Sequence, residues 1–180
     1  YLKDDAKFKQ IREAYINHIA KMFELLGDAP DKAAKEANTV MKLETQMAKV
    51  SMSQVEQRNP HAIYHIMDRA QLSKITPDFS WPAYFSAIGQ TQIKSINLAM
   101  PDFFKDLNKQ LKTVPIDDWK TYLRWHLIDA FASYLSQPFV DQNFKMVAVL
   151  TGAEKILPRW KRVVSTENSA LGFAIGKMYV

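Results

Sequence analysis

The sequence predicts an all-α protein: a single orthogonal multi-helix domain of about eight helices over residues 1–180. Three observations lead to this prediction. Apolar residues recur at spacings of three and four along most of the chain, which is the periodicity of a helix with one buried face. There are only five glycines and no repeated turn dipeptides, which argues against a β-sandwich. Prolines and polar turn formers separate the periodic stretches by short connections, as in helical domains.

Two long helices open the predicted fold. The first covers residues 5–27, and Gly27 is a natural C-terminal stop. Its apolar stripe consists of Phe8, Ile11, Tyr15, Ile19, Met22 and Leu26. The second helix runs from about Lys32 to Val50, with Asp31 as its N-terminal cap. Its stripe consists of Ala33, Ala37, Val40, Met41, Met47 and Ala48.

The middle of the chain predicts shorter elements. Residues 51–67 are irregular, a short helix spans 68–75 with Asp68 placed to cap it, and Ser80 caps a helix that runs to about Gly89. Residues 93–100 alternate weakly between apolar and polar, a pattern that is compatible with a short extended segment there. Pro101 begins another helix, whose inward positions are predicted to be Phe103, Phe104, Leu107 and Leu111.

The helix predicted over residues 117–136 is the one around which we expect the others to pack. It contains no glycine or proline, and apolar side chains leave little of its surface polar, so burial on several sides is expected. Its predicted core residues are Trp119, Tyr122, Leu123, Phe131 and Leu135. Ser136 and Pro138 should end it, because the residue before proline is driven out of the α region. A helix over 139–151, which Gly152 ends, and a helix from Pro158 onward complete the chain.

Composition excludes several classes of function. The absence of cysteine excludes disulfides, thiol catalysis and cysteine-ligated zinc. No apolar run reaches the length of about 18 residues that indicates a membrane helix. The net charge of +5 is spread thinly, whereas nucleic-acid binders usually concentrate basic residues on one face. Because the sequence opens on Tyr1 and closes inside an apolar pattern, we expect it to be a piece of a longer polypeptide.

No motif in the sequence predicts a catalytic or metal site. His61 and His65 could share a helix face, but Ala62 stands where a zinc-protease His-Glu-x-x-His motif has its glutamate base, and no cysteine is available as a further ligand. His18 and His126 are expected to be hydrogen-bonded helix residues. The basic cluster Arg159, Lys161 and Arg162 could contact phosphate, although a solvated first helical turn explains it as well. The sequence analysis therefore predicts no catalytic, cofactor-binding or metal-binding residue in this chain.

Glu44 is the one carboxylate that falls on a predicted apolar stripe. A carboxylate buried there needs a partner or stays protonated. The sequence predicts that Glu44 is buried and paired, with Arg58 and Arg124 as candidate partners.

A set of short motifs, taken in order, points to a known family. The motifs are Leu43-Glu44-Thr45 with Ala48, Arg58-Asn59-Pro60, Tyr64-His65-Ile66-Met67, Phe79-Ser80-Trp81, Tyr122-Leu123-Arg124-Trp125, Gly152, Pro158-Arg159-Trp160-Lys161-Arg162 and Leu171-Gly172-x-x-x-Gly176-Lys177-Met178-Tyr179-Val180. Their order resembles the N-terminal region of the neprilysin and endothelin-converting-enzyme family of zinc metallopeptidases. Val163 stands where animal members often have cysteine, so the chain is most similar to bacterial oligopeptidases of that family.

The resemblance implies a role without catalytic residues in this chain. In that family the region forms most of a helical domain that faces the catalytic domain across an enclosed cavity and restricts access to small peptides. The zinc and substrate motifs lie further toward the C-terminus and are absent from this sequence, so zinc is expected in the full-length parent and no cofactor in this part. The implied partners are the catalytic domain and peptide substrates, without nucleic acid. An exported, periplasmic location in a bacterium is favoured, with a cytoplasmic one left open.

Two other functions stay open from the residues alone. One is a stand-alone helical module that binds a peptide or protein. The other is a basic nucleic-acid binder, which salt-dependent affinity for DNA would reveal.

Overall fold

A computed structural model describes residues 1–180 and contains eight α-helices with one small two-stranded sheet. The helices are α1 (Ala6–Leu25), α2 (Pro30–Val50), α3 (Arg69–Ile75), α4 (Trp81–Ala87), α5 (Pro101–Thr113), α6 (Ile116–Phe131), α7 (Gln137–Thr151) and α8 (Arg159–Tyr179). The strands are β1 (Ile66–Asp68) and β2 (Ser95–Asn97), and 3₁₀ turns occur at Glu56–Arg58 and Ala132–Tyr134. The prediction of an all-α fold is confirmed. None of the helices is both long and apolar enough to cross a membrane.

Local signals set most of the helix ends. Asp5 caps α1 by accepting a hydrogen bond from the Phe8 amide. Asp68 and Gln71 form a reciprocal capping box at the start of α3, which is the capping role that the sequence suggested for Asp68. At the other end of a helix, Gly152 adopts φ 74° after α7, a left-handed conformation that glycine accepts without strain.

The larger core lies where α1 and α2 pack together and α6 and α7 close over them. Ala33 and Ala37 are one helical turn apart on α2 and fully buried, so their small side chains permit close approach of α1. The buried cluster consists of Ile19, Met22, Phe23, Ala33, Ala37, Val40, Trp125, Ile128 and Ala132. Trp125 is the largest member, and its ring meets Tyr15, His18 and Phe23 edge to face.

A smaller core lies under α3, α4, α5 and the sheet. Strands β1 and β2 are antiparallel, with Met67 opposite Ile96. This confirms that part of residues 93–100 is extended. The buried members of this core are Leu72, Trp81, Phe85 and Leu98. Packing of α5 against α2 joins the smaller core to the larger one.

The phase predicted for the central helix is wrong. Helix α6 turns Trp125 and Ile128 inward, whereas Leu123, Phe131 and Leu135 are exposed and Trp119 and Tyr122 are half-buried. Apolar residues occupy both sides of this helix, so periodicity could not select the side that α1 and α2 cover. Helix α6 also has no more helical neighbours than α1, which contacts α2, α6 and α7.

The predicted end of this helix needs correction too. The α-helix stops at Phe131, five residues before Ser136, and the chain continues through the 3₁₀ turn Ala132–Tyr134. Pro138 lies in the first turn of α7, where its missing amide hydrogen has no intrahelical partner to lose. In α5, Leu111 is exposed rather than inward.

Removing the buried tryptophan should cost far more stability than removing the exposed phenylalanine on the same helix. We expect Trp125→Ala to lower the free energy of unfolding by about 3–5 kcal/mol, because it empties a fully enclosed site. Phe131→Ala should cost about 1 kcal/mol or less, since its side chain is 53% exposed. Urea denaturation followed by circular dichroism measures both. Equal losses for the two variants would contradict the packing described here.

Candidate functional site

Glu44 lies at the centre of a buried polar cluster between α1, α2 and α6. The Tyr1 hydroxyl donates a hydrogen bond to Glu44 Oε2 at 2.7 Å, and the Tyr15 hydroxyl donates one to Oε1 at 3.0 Å. The His126 Nε2 atom is 3.3 Å from Oε1. The prediction that Glu44 is buried and hydrogen-bonded is confirmed, but its hydrogen-bond donors are two tyrosines instead of an arginine.

Arg124 has other partners because its side chain points toward the start of α2. Its guanidinium lies 2.5 Å from Asp28 and 3.2 Å from Glu36, above the Phe23 ring. A hydrogen bond from Lys32 and the charge of Arg124 lower the pKa of Asp28. The other predicted partner, Arg58, lies in the exposed 3₁₀ turn. Neither arginine predicted as a partner therefore contacts Glu44: Arg124 pairs with Asp28 and Glu36, and Arg58 is exposed.

The tyrosines around Glu44 act as hydrogen-bond donors. Burial, together with the nearby charge of Glu44, raises the pKa of Tyr1, Tyr15 and Tyr122. The hydroxyl groups of Tyr1 and Tyr15 stay protonated at neutral pH and hold the carboxylate in place. The arrangement also links to the core, because Trp125 donates its indole hydrogen to the Tyr15 hydroxyl at 3.0 Å. This cluster orders the junction of three helices and leaves Glu44 no free approach for a substrate.

The four histidines do not gather into one site. His61 and His65 lie in turns and in the approach to β1, so the shared helix face does not form. The His65 backbone bonds to Asn97 and Leu98, which ties this segment to β2. His18 is buried in α1, with Gln142 3.2 Å from its Nδ1 atom. No group of three or more His, Asp or Glu side chains is placed to hold a metal ion.

The most prominent surface feature is an uncovered apolar stripe on α6. It consists of Ile116, Leu123, Leu127 and Phe131, each more than half exposed. These residues lie opposite Trp125 and Ile128, which are buried against α1 and α2. The sequence analysis predicted two of these side chains, Leu123 and Phe131, to be core, and their exposure shows that this prediction is wrong. The sequence signal for this exposure is that apolar residues occupy more of the α6 surface than the rest of the chain covers.

Helix α8 carries a second group of uncovered apolar residues. None of its residues is buried, and Phe173, Met178 and Tyr179 are almost fully exposed. The helix bends at Leu171, where the backbone leaves helical geometry. We call the α6 stripe together with the apolar residues of α8 the open apolar face.

The N-terminal half of α8 borders a groove of about 490 Å³ against the start of α7. Tyr134, Val140 and Val163 supply apolar walls, and Arg159 and Arg162 supply positive charge. Arg162 donates to the Leu157 carbonyl at 3.2 Å, and Lys161 lies over the Trp160 ring. The predicted basic cluster thus occupies a solvated first helical turn.

Loss of the Tyr15 hydroxyl should destabilise the fold. In Tyr15→Phe, the buried indole of Trp125 loses its acceptor and Glu44 loses a donor. We expect a cost of about 1–3 kcal/mol in free energy of unfolding. Tyr64→Phe is the matched control, since Tyr64 is 68% exposed, and should change stability by about 0.5 kcal/mol or less. Equal effects in urea denaturation would show that the hydroxyl network contributes nothing.

His18 should make stability depend on mildly acidic pH. Burial lowers the pKa of His18, and Asp129 opposes this only in part. Below the ordinary pKa of about 6.5 the unfolded chain binds a proton that the folded chain resists. The stability that neutral, buried His18 contributes is therefore fully present above pH 6.5, and it is lost as the pH falls through the lower pKa of His18 in the folded state. Denaturation between pH 5 and 7 should show a flatter profile for His18→Gln. The exposed His61→Gln control should keep the parental slope, and an unchanged slope in His18→Gln would contradict the assignment.

Comparison with known proteins identifies the family. The model of the N-terminal region of peptidase family M13 matches residues 1–180. Human endothelin-converting enzyme 1 is 26% identical over 186 residues, covering 100% of this chain and 24% of that protein. The bovine enzyme is 29% identical over 188 residues, covering 100% of this chain and 25% of its own length.

Solved structures give the same result. Zinc metalloprotease Zmp1 of Mycobacterium tuberculosis, in its open state, superposes with a TM-score of 0.92 at 32% identity, covering 98% of this chain and 28% of that chain. Its inhibitor complex gives 0.93 at 32% identity, covering 98% of this chain and 27% of that chain. The present chain thus spans about a quarter of the length of these relatives. The chain belongs to peptidase family M13, and it corresponds to the N-terminal region of that family.

Proposed function

We propose that this chain is a non-catalytic helical part of a zinc metalloendopeptidase, where it encloses the substrate cavity and limits access to small peptides. The observation that carries the proposal is the open apolar face of α6 and α8. Membership of family M13 supplies the class of reaction. The proposed partner is the catalytic domain of the same parent polypeptide.

The open apolar face supports docking against another protein surface. Leu123 and Leu127 are 63% and 62% exposed on α6, while Phe173 on α8 is fully exposed. Exposed apolar surface of this extent usually marks a contact with another protein or domain. Such a contact would restore the burial on a second side that the composition of α6 predicts.

Zinc is proposed only for the parent polypeptide. Bound zinc would polarise the peptide carbonyl and activate water there. The residues of this chain do not form a zinc ligand set, because no three His, Asp or Glu side chains converge. Their proposed contribution is the wall of the cavity, which would hold peptides near the catalytic domain and exclude larger ones.

The test places a charge on the open apolar face. In the proposed full-length polypeptide, Leu127→Asp should lower the free energy of unfolding by about 2 kcal/mol or more, because it buries an unpaired carboxylate. In the isolated chain the same change should cost about 0.5 kcal/mol or less, since Leu127 is exposed. Thermal and urea denaturation of both forms measure the difference. The full-length variant should also cleave long peptides better relative to short ones.

Matched controls make the result specific. Val55 is 73% exposed and lies outside the open apolar face, so Val55→Asp should be neutral in both forms. The isolated chain should show no stoichiometric zinc binding by calorimetry and no cleavage of a quenched peptide. Equal effects of Leu127→Asp in the isolated and full-length forms would favour a stand-alone module. Chelator-sensitive cleavage by the isolated chain would overturn the non-catalytic role.

A further inference from the structure

A second feature, a pocket in the smaller core, is separate from the open apolar face. Its volume is about 600 Å³, and it lies between α4, β2 and α5. Trp81, Phe85 and Phe104 form its aromatic walls. Pockets of about 300–1,000 Å³ with mainly apolar walls are typical of small-molecule sites.

The walls hold their shape through hydrogen bonds that leave few polar atoms for a ligand. Trp81 donates its indole hydrogen to the Thr76 hydroxyl at 2.7 Å, and Thr76 donates to the Leu72 carbonyl. Asn97 accepts from the His65 amide and donates to the Ile63 carbonyl. These bonds occupy the polar groups of Thr76 and Asn97 within the protein itself.

Asn108 completes the same pattern on α5. It accepts from the Asp78 amide at 2.9 Å and donates to the Asp78 carboxylate at 2.8 Å. Lys112 neutralises that carboxylate at 3.0 Å. No charged residue lines the pocket. A ligand with a formal charge would therefore lose hydration inside the pocket and find no opposite charge.

We propose that this pocket binds a small uncharged molecule with an alkyl chain or an aromatic ring. Entry is open at the rim, where Phe79, Ile88 and Leu111 are 37%, 48% and 39% exposed. Aromatic walls provide the apolar contact, and the absence of a charged residue in the lining selects against charged ligands. This site is independent of the proposed role in a peptidase.

The experiment measures displacement of a neutral fluorescent probe. N-phenyl-1-naphthylamine should bind the chain with enhanced fluorescence, and 1-decanol should displace it at least about tenfold more effectively than decanoate or decylammonium. Ile88→Lys places a cation at the rim, so decanoate should then become the better competitor and 1-decanol the weaker one. Leu111→Lys, on another part of the rim, should give the same reversal if Ile88→Lys does not fold.

Controls separate the pocket from the open apolar face. Leu127→Lys adds the same charge to α6 and should leave probe binding and the order of competitors unchanged. Loss of probe binding in Leu127→Lys but not in Ile88→Lys would overturn the proposal, as would equal displacement by the neutral and charged decyl compounds. Failure of the probe to bind the full-length polypeptide would also overturn it, because another part of that polypeptide would then cover the pocket.

Discussion

The burial of Trp125 between α1 and α2 is the constraint on which the larger core depends. Its ring contacts aromatic side chains of α1 on several sides, and its indole hydrogen must have an acceptor. Tyr15 is that acceptor, and its own hydroxyl hydrogen goes to Glu44. One aromatic side chain thereby fixes the rotation of α6 and the position of a buried carboxylate. Because a buried polar network is stable only when each member is satisfied, packing and hydrogen bonding here specify the same arrangement.

Fixing α6 in this rotation also determines what the chain leaves uncovered. With Trp125 and Ile128 inward, Leu123 and Leu127 must lie on the opposite side of the helix. The composition of α6 predicts that other elements pack against it on more than one side, whereas this chain packs only against the side that carries Trp125 and Ile128. The exposed stripe is thus a consequence of the same contacts that stabilise the core. A helix of this composition suits the boundary between two packed bodies better than a solvent-facing surface.

The sequence predicted what depends on neighbours along the chain and failed where distant residues decide. Asp68 and Gly152 mark helix ends through local hydrogen bonds and backbone preference, and both were identified correctly. The burial of Glu44 followed from its place on a stripe. The partners of Glu44 could not be predicted in the same way, because Tyr1 and Tyr15 come from a different part of the chain. Nor does the periodicity of α6 show that Arg124 contacts Asp28 rather than Glu44. No catalytic or metal constellation was predicted, and the exposed stripe of α6 was missed because a wide apolar surface does not say which side the chain covers.

The two apolar surfaces differ in shape and chemistry, and this difference separates their proposed roles. The α6 stripe runs along one side of a helix from Ile116 to Phe131, which suits an extended protein surface. The pocket beside Trp81 is concave and lined by no charged residue, and Thr76, Asn97 and Asn108 already make hydrogen bonds within the protein. A protein interface needs polar groups at its rim to fix orientation, whereas a small apolar ligand needs only a preformed enclosure. Because the pocket walls are held by the smaller core and the stripe by the larger one, a charge introduced at either surface should leave the other intact.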